Sequence, residues 1–165
     1  MSLVSLVVQA AAPWARLYND SKVVSTSVTF AHLGGLLAAG GFAIAADRGT
    51  LRLTGRDIGA VVRHLGELRA IHRPVVIGLL LTLTSGLLML AADAETLLPS
   101  ALFWVKMGIV TLLLANGALL QRAERDLRTG RGDPHRAWRR LRRSAGASVA
   151  LWFGSVLLGT ALLGS

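Results

Sequence analysis

The chain has 165 residues, 53% of them hydrophobic, 16% charged and 5% aromatic, with a formal net charge of +9. Soluble domains carry about 25% charged residues. The deficit here is concentrated in four runs of membrane-crossing length, which excludes a soluble globular domain. There is no cysteine, so disulfides, thiolate metal sites and covalent c-type haem attachment are excluded too.

In chain order, Met1 to Ala12 is apolar and is followed by Pro13, with small residues Ala10, Ala11 and Ala12. No positively charged n-region precedes it, so an uncleaved segment is expected over residues 1–22. It would lie on the outer surface, with Trp14 and Tyr18 at headgroup level. Val23 to Ala46 then runs for 24 residues without a charge and is the first predicted span. It holds His32, and an imidazole in lipid is costly unless it faces a partner, a cavity or a cofactor. Ala31, Gly35 and Ala39 recur at i, i+4 and i+8, with Gly34, Gly40 and Gly41 beside them. Two readings stand: close small-xxx-small helix packing, or space cleared for a flat macrocycle. Gly49 is the expected C-cap.

A long helix is predicted from Asp57 to Ala92, bent near Pro74, with residues 74–92 as the second span. Ile58, Val61, Val62, Leu65 and Leu68 form its apolar stripe, and His64 falls off that stripe towards solvent. His72, seven residues past Leu65, returns to it. Ser100 is the predicted N-cap of the third helix, whose span, 101–120, carries one charge, Lys106. This helix outruns the membrane and stops near Gly130. Asp133-Pro134 starts the fourth, spanning 144–163, where Ser148, Trp152, Ser155 and Gly159 share a face read as packing. His135, like His64, is read as solvated. The expected architecture is one all-α domain over 23–165, an integral membrane four-helix up-down bundle with helical extensions.

Charge placement sets the expected topology. Six arginines fall between Asp47 and Arg73 and nine between Gln121 and Arg143, whereas Asp93 to Ser100 has two acids and no base. By the positive-inside rule the two arginine-rich connections are cytoplasmic and both termini lie outside. A multi-pass protein of the bacterial cytoplasmic membrane is expected. Its arginines would meet anionic lipid headgroups rather than nucleic acid, and a redox partner or a second copy could join it.

Depth sorts the polar interior. At 1.5 Å per residue, His32 lies roughly 13 Å inside its helix, and Lys106 and Met107 roughly 8–9 Å inside theirs from the same side. Met89 belongs to the same half, so His32, Met89 and Met107 form a candidate metal site with Lys106 nearby. His72 is a further candidate ligand, with Arg73 beside it as a candidate cofactor-binding cation. It lies roughly 17 Å deeper than His32, too far to share one iron in straight helices. Haem iron accepts a lone histidine, His/Met or bis-His; histidine with methionine also suits Cu(I). The plain alternative is a helix tie from His32 to Asn116, Thr29 or Thr84.

The stretches AHLGGLLAAGGF (31–42), HRPVVIGLLLTLTSGLL (72–88) and FWVKMGIVTLLLANGAL (103–119) resemble small bacterial membrane proteins of two families. These are the copper-resistance protein D family and the haem-binding, oxygen-independent protoporphyrinogen oxidase family. The resemblance covers about Ser27 to Gln121. It implies a four-helix membrane fold with the first-helix histidine at His32, the late second-helix glycine at Gly86 and the early third-helix lysine at Lys106. The chain lacks the fourth-helix carboxylate of the copper family. It also has Gly and Ala where the oxidases are aromatic and basic. The expected function is b-type haem binding for electron transfer or haem-linked redox chemistry, with copper handling or a cofactor-free accessory subunit as alternatives.

Overall fold

A computed structural model describes residues 3–55 and 57–163; Arg56 and the extreme termini lie outside the described residues. Among the described residues every regular element is an α-helix: α1 (Leu3–Asp20), α2 (Lys22–Arg52), α3 (Ile58–Ala92), the single turn α4 (Ala94–Leu97), α5 (Ala101–Thr129) and α6 (Pro134–Leu163).

Local chemistry sets most of these boundaries. Asp57 accepts from the Ala60 N–H at 3.0 Å and Ser100 from Phe103 at 3.3 Å. Asp133 accepts from His135 at 2.9 Å, while Pro134 opens α6 where no donor is needed. Gly130, at φ 64°, ends α5 in the left-handed conformation that glycine adopts without strain. α3 runs unbroken through Pro74. Gly49 does not end α2, which continues to Arg52. A helical glycine costs only about 1 kcal/mol, and the next turn is held by Thr50, which is 1% exposed. Gly49 instead gives room to a ring of α3: a Cβ there would sit 2.7 Å from His64 Cε1.

α2 packs along α3, α5 along α6, and α2 joins the two pairs by packing on α6. The α2–α3 seam is a close backbone approach. A Cβ on Gly35 would meet the Gly78 carbonyl at 2.8 Å, and one on Gly78 would meet the Gly35 carbonyl at 2.9 Å. A Cβ on Gly40 would stand 3.1 Å from the Trp152 ring. Gly35, Gly40 and Gly49 of α2 therefore serve helix packing, whereas Gly34 and Gly41 face open space.

At the arginine-rich end all four long helices meet, in a cluster of Leu65 and Leu68 of α3, Ala123 of α5, and Trp138 and Leu141 of α6, with Ala46 of α2 packed against it. A second cluster at mid-height joins Ala39, Leu113 and Trp152. Outside these clusters the molecule is apolar on its surface: Phe30, Leu37, Ile77, Leu112, Phe153 and Leu157 are each at least 58% exposed. Four helices are long and apolar enough to cross a membrane. Water does not tolerate so continuous an apolar surface, whereas lipid requires it. The protein is an integral membrane helical bundle.

α1 lies against α3, α2 and α4. Trp14 Nε1 donates to the Leu88 carbonyl at 2.8 Å, and the Tyr18 hydroxyl lies 3.4 Å from that of Thr29. Both aromatic side chains are half-buried against the bundle.

Candidate functional site

The side of α3 turned towards α2 follows Leu68, Ile71, Val75, Gly78, Thr82, Ser85 and Met89, all buried or half-buried. Successive steps of three and four residues keep one face of a helix in register. Ile71 occupies the position expected for His72. His72 and Arg73 are both exposed, which corrects the placement of His72 on the apolar stripe. His72 is also ten to fourteen residues from the level of Thr82 to Gly86, roughly 15–21 Å along the axis. It does not share a site with His32.

His32 sits on this face. Its Nδ1 is 3.0 Å from the Thr82 carbonyl oxygen and 3.2 Å from Ser85 Oγ. Ser85 spends its single hydroxyl hydrogen on backbone carbonyls, with Leu81 at 2.6 Å and Thr82 at 3.2 Å. It cannot also donate to the ring, and a carbonyl only accepts. Nδ1 therefore carries the hydrogen, and the lone pair of the neutral ring is on Nε2. Gly86 makes room for the ring, since a Cβ there would be 3.1 Å from Cε1.

The helix tie anticipated for His32 exists with other partners. Asn116 donates instead to the Ser144 carbonyl at 2.9 Å, joining α5 to α6. Thr29 faces Tyr18. Lys106 is half-buried on α5 and within electrostatic range of His32; its Nζ is 3.6 Å from where a Cβ on Gly159 would stand. Met89 ends the α3 face that holds His32, and Met107 follows Lys106; both are half-buried. Among the described residues no three His, Cys, Asp or Glu side chains gather to hold a metal.

A second polar constellation lies at the arginine-rich end. His64, read above as solvated, is 5% exposed, while Ile58 and Val62 are 78% and 63% exposed. His64 Nε2 is 2.8 Å from Thr50 Oγ1 and Nδ1 is 3.3 Å from Glu67 Oε2. Carboxylate, imidazole and hydroxyl stand in the order of a nucleophile triad. Thr50 is 1% exposed, however, so no substrate reaches the hydroxyl, and the chain of bonds locks α2 to α3. Its spacing could have been found: His64 is one turn before Leu68 on the face that Leu68 begins. His135 is exposed, as expected.

No family model, curated protein or solved structure matches the chain.

Proposed function

We propose that the protein binds b-type haem in the membrane half nearer the Asp93–Ser100 loop, where His32 would hold the iron through Nε2. The observation that carries this reading is the hydrogen bond from Nδ1 to the Thr82 carbonyl. Metal-bound histidines almost always donate their other ring N–H to a carbonyl or carboxylate, which fixes ring orientation and raises ligand basicity. Here that second bond is already made. Lys106 is the cation at the same level and would pair with a haem propionate. The fit rests on this donor set. His72 and Arg73 are not part of the reading. The sequence resemblance described above points the same way. Haem would supply one-electron exchange, and the function proposed is electron transfer or haem-linked redox chemistry, alone or with a redox partner or second copy.

The experiment is a reduced-minus-oxidised absorption spectrum of protein purified after expression with adequate haem. Soret and α bands that disappear in His32→Ala and persist in His72→Ala are expected. Absence of both bands from the parent protein overturns the reading. A second reading, Cu(I) bound by His32 with thioethers, is favoured by Met89 lying on the same α3 face as Thr82 and Ser85. Copper retained by the haem-free parent and lost from Met89→Leu would identify it.

The arginine-rich connections are proposed to face the cytoplasm of a bacterium, against anionic headgroups, with both termini outside.

A further inference from the structure

Asp47 belongs to neither constellation and is the most buried acid among the described residues, at 3% exposure. It projects from the side of α2 that meets α6, seven residues beyond Gly40, whose partner is Trp152. Ser148, buried on α6, is the polar side chain set against the carboxyl group, and Oδ2 has no hydrogen-bond partner. Apolar residues flank it: Ala43 and Ile44 belong to the mid-height cluster and Ala46 to the lower one.

The charged groups of the packed elements are paired elsewhere or exposed, as Arg52 of α2, Arg63 and Arg69 of α3, and Arg139, Arg140 and Arg143 of α6 are. His64 of α3 spends both ring nitrogens on Thr50 and Glu67. Arg142 of α6 donates to the Leu51 carbonyl, Glu124 of α5 pairs with Arg128, and Arg48 on α2 itself is exposed. None of the ion pairs among the described residues includes Asp47. A carboxylate removed from water without a cation is strongly disfavoured against its neutral acid. A metal ion is a poor occupant, because hard cations need about six oxygens and one carboxyl with one hydroxyl falls short. A proton needs only Oδ2.

We propose that Asp47 is a proton-binding site built into the α2–α6 seam: a carboxylic acid with Ser148 on the group and the proton on Oδ2. The site is independent of any cofactor at His32. It gives the arginine-rich half of the bundle one exchangeable proton, placed between its two apolar clusters.

The test is infrared spectroscopy of the full-length protein in lipid nanodiscs, with carboxyl-¹³C aspartate incorporated. The other five aspartates, Asp20, Asp57, Asp93, Asp126 and Asp133, are exposed or half-exposed, so water reaches their carboxyl groups. As the pH falls from about 8 to about 5, a carboxylic C=O stretch that shifts with the label is expected from Asp47, which is removed from water. It should be absent from Asp47→Asn and move to higher frequency in Ser148→Ala, which lacks that hydroxyl. The labelled parent protein answers the question even if Asp47→Asn fails to fold. A spectrum with only carboxylate bands from aspartate between about pH 8 and about pH 5 overturns the proposal. So does a labelled acid band that persists unchanged in Asp47→Asn.

Discussion

His32 and His64 are both tied across the α2–α3 seam, and the atoms they leave free give them different roles. His32 donates through Nδ1 to the Thr82 carbonyl, and no hydrogen bond among the described residues engages Nε2. His64 uses both nitrogens and is buried with Thr50. Thr50→Val or His64→Ala should lower stability by about 1–3 kcal/mol, the cost of leaving a buried polar partner unsatisfied. The double variant should lose less than the sum of the two. Thermal unfolding in detergent measures both, and full additivity would show the pair uncoupled. At His32, Ser85→Ala should keep any haem, because the Thr82 carbonyl still holds the ring. A spectrum lost with Ser85→Ala would instead assign the orienting role to the hydroxyl.

At the scale of elements, the seams depend on positions where a side chain has no room. Gly35→Leu should separate α2 from α3, because even a Cβ there meets backbone at 2.8 Å. Gly34→Leu, with nothing within 4 Å of that Cβ, should be tolerated. Monodisperse elution of the second variant and aggregation of the first is the expected contrast. Gly55 joins α2 to α3 at φ 77° with the Trp138 indole directly against it. Gly55→Ala should cost about 1–2 kcal/mol from the backbone alone, with the indole clash in addition; an unchanged melting temperature would refute this. Capping was legible in the sequence because Asp57, Ser100 and Asp133 act on donors two or three residues away. The end of α2 was not, because Thr50 and Asp47 are held by α3 and α6, which residues 47–52 do not encode.

For the whole molecule, the large core contacts are few and the outward apolar surface is extensive. Leu141, fully buried where the four long helices meet, should lose about 2–5 kcal/mol on change to Ala. Phe153→Leu, at a 64% exposed position, should be nearly silent in lipid; the two melting shifts in one bilayer mimetic test this. Topology is testable because the chain has no cysteine. Gly132→Cys should be shielded from an impermeant thiol reagent in intact cells, and Glu95→Cys should react; the reverse pattern would invert the proposed orientation. The sequence by itself determined the number of spans, their approximate limits, the all-α class and the segregation of arginine to one end. Run length, caps and charge placement are properties of consecutive residues. Only the tertiary structure decided that Ile71 rather than His72 takes the packed face, that His64 and Asp47 are buried, and that Nε2 is the free nitrogen of His32. Each of these depends on the rotational phase of one helix against another, and a difference of about 100° in that phase exchanges an inward residue for an outward one.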